Sequence, residues 1–136
     1  MEFTINEKDF LVAGESAAKT KKALQQLGLR PDIVKNTAII VYEAAMNVVI
    51  HAIHGKLAVT IVPEQVLVTA EDVGPGIPDI DLAMQEGYST APHEVREMGF
   101  GAGMGLSNIK QCSDEMTIKS ETGIGTVLEA RIFMKK

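Results

Sequence analysis

The stretch Ala38-Ile39-Ile40-Val41-Tyr42-Glu43-Ala44-Ala45-Met46-Asn47-Val48-Val49-Ile50-His51-Ala52-Ile53 decides how this chain is read. Nearly every residue in it is apolar, so the helix predicted over roughly residues 32–52 is buried around most of its circumference. Glu43, Asn47 and His51 are the exceptions. At about 3.6 residues per turn, positions i, i+4 and i+8 drift little, and these three side chains form one polar line. Burying an unpaired carboxylate and amide is costly, so the line must face water, a partner or a ligand. The solvated face of an ordinary amphipathic helix is the competing reading. Such a face normally carries several Lys and Glu, whereas this one offers one carboxylate, one amide and one imidazole, a selection that suits a site lining. An Asn carbonyl oxygen is a suitable ligand for Mg²⁺ beside phosphates, and a Glu one turn earlier can accept a proton there.

Two glycine blocks follow. Val66-Leu67-Val68-Thr69-Ala70 reads as a strand that delivers Glu71-Asp72-Val73-Gly74-Pro75-Gly76-Ile77. A plain turn with acidic decoration is one reading. The other is a base pocket: a carboxylate at a strand end accepts the amino hydrogens of adenine, and the glycines let backbone approach the flat base. Further on, Gly101-Ala102-Gly103-Met104-Gly105 opens a helix whose first N–H groups and partial positive charge suit phosphate. It is not a P-loop, because no Gly-Lys-Ser/Thr ending follows. A flexible lid is the alternative, and a lid can also close over phosphates.

The rest of the chain frames these blocks. Residues 2–6 alternate weakly, as an edge strand does, and residues 9–27 carry Phe10, Leu11, Ala13, Ala17, Ala18, Leu24 and Leu27 at helical spacing. Gly28 suits the cap of that helix, and Pro31 is permitted in the first turn of the next. After His54-Gly55-Lys56, the runs 57–62 and 66–71 flank Pro63-Glu64-Gln65 and read as a hairpin. Residues 78–86 suggest a short helix, and 87–101 form the candidate mobile loop. A helix over 104–112 and a hairpin of 115–120 with 126–133 complete the chain. The predicted fold is α+β: a two-layer sandwich with a mostly antiparallel sheet of four to five strands and helices on one face.

With 136 residues, the chain suffices for one packed core and not for two ordinary domains, so residues 1–136 are expected to form one domain. A net charge of -5 argues against general nucleic-acid binding, so a phosphate ligand must be held by local geometry. The single cysteine, Cys112, has no internal disulfide partner, no zinc-type Cys/His spacing is present, and Cys112 reads as a buried small apolar residue. The first residues lack a signal-peptide pattern, and no uninterrupted apolar stretch reaches membrane length. A cytoplasmic protein with no membrane contact is the expectation.

Taken in their fixed order, these blocks resemble the GHKL ATPase superfamily, which includes gyrase B, Hsp90, MutL, histidine-kinase catalytic domains and bacterial anti-sigma-factor serine kinases. Glu43 and Asn47 are similar to its N box, Asp72-x-Gly74-x-Gly76 to its first glycine box, and Gly101-x-Gly103-x-Gly105 to its second. Glu43-Ala44-Ala45-Met46-Asn47, Gly87-Tyr88-Ser89-Thr90 and Asp9-Phe10-Leu11-Val12-Ala13 most resemble the stressosome switch kinases and anti-sigma-factor kinases. Residues 91–98 form a longer segment than in the shortest switch kinases.

The resemblance implies the Bergerat fold, ATP with Mg²⁺, and phosphorylation of a Ser or Thr on a STAS-domain partner. Glu43 would be the general base, Asn47 the Mg²⁺ ligand and Asp72 the adenine reader. Gly74, Gly76 and Ile77 would approach the base, while Gly101, Ala102, Gly103, Met104 and Gly105 would wrap the phosphates. Thr126 resembles the position that supports adenine through a hydroxyl, and His51 is similar to a histidine following the N box in some members. Arg96, the only arginine in the loop, is a candidate phosphate contact by charge alone, with a solvated surface charge as the competing reading. A homodimer is possible. The alternative function is a non-catalytic module that binds a sigma factor or other regulator, with nucleotide as a conformational ligand. A histidine-kinase fragment ranks below both, since the first helix is too short to supply a two-helix dimerisation domain.

Overall fold

Pro31 opens the central helix, α2 (Pro31–His51): its ring pre-sets φ for the first helical position, and Asp32 in the first turn complements the positive end of the helix. The computed structural model describes residues 1–77, 80, 84 and 105–134. Before α2 lies α1 (Phe10–Gln26), which ends on Gly28 at φ 77°. There the Gly28 N–H donates to the Gln25 carbonyl and the Leu29 N–H to the Leu24 carbonyl, a Schellman cap that turns the chain into α2.

The buried stripe of α1 is narrower than its apolar residues suggest. It comprises Ala13, Ser16, Thr20 and Leu24. Leu11 and Leu27 are instead 77% and 62% exposed. At about 100° per residue, Leu11 stands on the far side from Ala13, and Leu27 falls past the last turn. Gly14 lies in the middle of α1 with no atom within 4 Å of an added Cβ. Gly14→Ala is therefore expected to raise stability by about 0.5–1 kcal/mol, read as a higher denaturant midpoint with an unchanged slope. A lower midpoint would contradict it.

The sheet has five strands in the order β1-β2-β3-β5-β4, every pairing antiparallel: β1 (Glu2–Asn6), β2 (His54–Ile61), β3 (Gln65–Val73), β4 (Glu115–Glu121) and β5 (Gly125–Phe133). Alternation sends Leu57, Val59, Val66, Val68, Ala70, Leu128, Ala130 and Ile132 to one face, where all are buried. That face meets α2, which packs across β1, β2, β3 and β5, and α3 (Gly105–Cys112), which reaches β4 and β5. The expected α+β layer, with helices on one face, is the observed architecture. By length and composition alone α2 is apolar enough to cross a membrane. Its packing between α1, α3 and the sheet accounts for that character instead.

One boundary differs. β2 begins at His54 and not at Leu57, with Gly55 paired to Asp72. A Cβ at Gly55 would come within 2.7 Å of the Glu71 carbonyl oxygen and 2.9 Å of Val48 Cγ1, so glycine marks where α2 crosses close over the strand. In the expected 78–86 helix, the Met84 N–H donates to the Ile80 carbonyl at 3.0 Å. The rest of that segment and the loop 87–101, Arg96 included, lie outside the described residues.

Candidate functional site

The polar line of α2 survives folding as a half-buried stripe: Glu43, Asn47 and His51 are all partly exposed, while Ala44, Ala45, Val48 and Val49 between them are buried. Each end of the stripe meets one glycine block. At the Glu43 end, the built Cβ of Gly105 would stand 3.0 Å from Glu43 Oε2 and 3.3 Å from Asn47 Oδ1. A side chain there would fill the cradle in front of both oxygens. At the other end, a Cβ on Gly74 would lie 2.9 Å from Ala52 Cα and 3.5 Å from the His51 carbonyl oxygen. Blocks far apart in sequence thus converge on one helix face.

The electrostatics follow from partial burial. Desolvation raises the Glu43 pKa above the ordinary glutamate value, partly offset by a side-chain hydrogen bond with Asn108 on α3. Such a carboxyl holds a proton to higher pH than a solvated one, which suits a group that must take one up. Burial lowers the His51 pKa, favouring the neutral imidazole. The hard oxygen of Asn47, facing a position that glycine leaves open, fits the donor chemistry of Mg²⁺, which keeps waters and phosphate oxygens in its remaining positions.

The second half of the site is a row across the sheet. Register places Gly55, Asp72, Thr126 and Ser120 abreast on β2, β3, β5 and β4. The Thr126 N–H donates to Asp72 Oδ1 at 3.1 Å, fixing the carboxylate; among the described residues its second oxygen has no partner and can accept. Burial raises the Asp72 pKa, and the Thr126 N–H partly counters it. The first glycine block is stapled to the β4–β5 hairpin: the Gly74 N–H donates to the Ile124 carbonyl at 3.0 Å and the Gly123 N–H to the Pro75 carbonyl at 2.8 Å. The Ile77 N–H donates to Ser120 Oγ at 2.6 Å. Gly76 adopts φ 76°, and a Cβ there would come within 2.6 Å of the Glu121 carbonyl oxygen, so only glycine fits this turn.

The structure therefore brings together Glu43, Asn47, His51, Asp72, Gly74, Gly76, Ile77, Gly105 and Thr126 around α2 and the ends of β3 and β5. Gly101, Ala102, Gly103 and Met104 lie outside the described residues. Sequence reasoning missed Asn108 and Ser120. Asn108 stands one turn after Gly105, where a polar side chain faces α2. Ser120 breaks the inward alternation Met116, Ile118, Ser120, and a hydroxyl at a core-facing position was the available signal.

An open antiparallel sheet, helices on one face and a glycine-bounded polar cleft between the layers define an ATPase-type nucleotide-binding domain. The chain belongs to the histidine kinase-, DNA gyrase B-, and HSP90-like ATPase family, whose pattern matches residues 34–136. It is 35% identical to the serine/threonine-protein kinase RsbT of Bacillus subtilis (strain 168), a match covering 65% of this chain and 63% of that relative. The chain thus spans less than two thirds of that relative's length. An anti-sigma F factor of Caldanaerobacter subterraneus subsp. tengcongensis is 31% identical over 84% of this chain and 81% of its own. Among solved structures, the SiaB–SiaC complex from Pseudomonas aeruginosa contains a chain that superposes with TM-score 0.65 at 14% identity, covering 97% of this chain and 88% of that one. At that identity the likeness establishes the fold.

Proposed function

We propose that the chain is a cytoplasmic serine/threonine protein kinase, folded as one ATPase domain, that transfers the γ-phosphate of Mg-ATP to a Ser or Thr of a STAS-domain partner. The observation that carries this reading is Glu43, half-buried, hydrogen-bonded to Asn108, and facing the Gly105 cradle one turn from Asn47. The names of the two relatives, a serine/threonine-protein kinase and an anti-sigma F factor, support it.

In the proposed reaction Asp72 and Thr126 hold the adenine, and Gly74, Gly76 and Ile77 bring backbone against it. The N-terminus of α3 offers the positive end of its helix to the phosphates, with residues 101–105 preceding and opening it in sequence. Asn47 would hold Mg²⁺, which neutralises charge on the phosphate oxygens when bound. Glu43 takes the proton of the partner's hydroxyl as its oxygen bonds to the γ-phosphorus; the bond from that phosphorus to the bridging oxygen breaks, and ADP leaves with the electron pair. Catalysis is then mostly positioning and charge neutralisation.

A pH dependence follows. Only ionised Glu43 accepts the proton, and burial favours its protonated form. Transfer at saturating ATP is expected to fall on acidification, with the limb above the ordinary glutamate range. A rate flat down to that range would contradict the role of Glu43.

The test of function is incubation with Mg-ATP and STAS-domain proteins, followed by mass analysis of the partner. One added phosphate on a Ser or Thr is the expected result. The second reading, a nucleotide-dependent module that binds a sigma factor or other regulator, is favoured by the anti-sigma name alone; a stable complex with no modification would select it. A homodimer is a further part of the proposal: among the described residues β1 has β2 as its single sheet neighbour, and its other edge is where a second copy would pair.

A further inference from the structure

Two residues of α3 face Glu43. A Cβ built on Gly105 would stand 3.0 Å from Glu43 Oε2, so one carboxylate oxygen looks into the glycine cradle. One turn further along, Asn108 makes a side-chain hydrogen bond to the same carboxylate. Its direction is set by the chemistry of the pair: an ionised carboxylate only accepts, so the Asn108 NH₂ donates. Leu106, Ser107 and Ile109 beside it are buried and seat α3, while Asn108 is half-buried at the polar stripe of α2.

Among the described residues no cation pairs with Glu43. Burial works against its charge, and the Asn108 bond works for it. A glutamate side chain also has much rotamer freedom to lose, so an oxygen stays turned toward one place only if something anchors the carboxylate. Asn108 supplies that anchor. A carboxylate has about four lone-pair sites, so accepting from Asn108 leaves room to take a proton from a hydroxyl.

We propose that Asn108 is a positioning residue that holds the Glu43 carboxylate toward the Gly105 cradle and ties the proton acceptor to the helix whose first turn meets the phosphates. The inference rests on the kinase reading of Glu43, and Asn108 acts through that side chain. Without its donor the carboxylate is free to turn away from the cradle, and transfer slows while nucleotide still binds.

The test is transfer from Mg-ATP to the STAS-domain protein that the wild-type chain modifies, with calorimetric ATP titration and melting on the same samples. Asn108→Ala is expected to lower kcat about 10- to 100-fold, the effect of one lost hydrogen bond to a charged group, with KM and Kd for ATP within about twofold. Alanine favours a helix more than asparagine does, so α3 is expected to stay folded. Asn108→Asp has the same size but offers an ionised Glu43 no donor, and its rate is expected to fall at least as far. Asn108→Gln keeps the NH₂ and is expected to recover most of the rate. In a Glu43→Gln background, Asn108→Ala is expected to change the residual rate by less than about twofold, since the group it serves is gone. An unchanged kcat in Asn108→Ala, an equal loss in both backgrounds, or a matching loss of ATP affinity, as mere docking of α3 would give, overturns the inference. If Asn108→Ala melts below the assay temperature, Asn108→Asp is read by the same outcomes. A wild-type chain that modifies no STAS-domain protein fails differently: it removes the kinase reading, and this inference with it.

Discussion

Glu43→Gln is expected to cut phosphate transfer by about 10²- to 10⁴-fold while leaving ATP affinity within about twofold, because glutamine keeps the size and polarity of the side chain but cannot take a proton. The amide can still bond to Asn108, so α3 stays docked and the cradle at Gly105 stays open. Stability moves the other way. Burial raises the Glu43 pKa in the folded chain, so folding favours the protonated form; that contribution is complete below the unfolded-state pKa and is lost as pH rises through the raised folded value. At neutral pH the wild-type carboxylate is therefore a small burden, and Glu43→Gln is expected to melt no lower than wild type. A variant that is inactive, fully folded and still able to bind nucleotide is the signature of a residue kept for chemistry. Transfer persisting at the wild-type rate would remove Glu43 as the base.

Asp72→Asn is expected to weaken ATP binding by at least about 100-fold, because a site built to pair a polar group rejects a ligand strongly once that pairing is reversed. The Thr126 N–H holds one side-chain oxygen of residue 72. In the asparagine variant that bond takes the only oxygen, and the NH₂ group then points at the amino group of the base, donor against donor. The register Asp72 with Thr126 is held by the backbone ladder, so the fold is expected to survive. Calorimetry and a melting curve on the same sample separate the two effects. Affinity within about threefold of wild type would show that Asp72 does not read the base, since one mispaired hydrogen bond alone exceeds that.

The features that were legible in the sequence are those written in local periodicity. Glu43, Asn47 and His51 stand out because α2 is apolar elsewhere, and both long hairpins are announced by turn residues between alternating runs. The order of the three blocks was enough to suggest a nucleotide site. What escaped depends on contacts between distant segments. Ser120 meets Ile77 across 43 positions, and Glu43 meets Asn108 from another helix, so neither pairing leaves a local pattern. By pattern alone the strand starts after Gly55, because glycine usually weakens strands; its place in β2 is set by the passage of α2 above it. Leu11 and Leu27 counted toward the period of α1, yet the partner surface of α2 covers only a narrow stripe.

The central claim is that the Glu43–Asn47–Gly105 cradle and the Asp72–Thr126 row form one ATP site from which phosphate passes to a protein hydroxyl. Its most direct test follows γ-labelled phosphate in parallel reactions of the wild-type chain and Glu43→Gln with Mg²⁺ and a STAS-domain partner. Label on a partner Ser or Thr with the wild-type chain, and none with Glu43→Gln despite retained ATP binding, is the expected result. Label released only as free phosphate, or partner label that is the same in both reactions, would contradict the account.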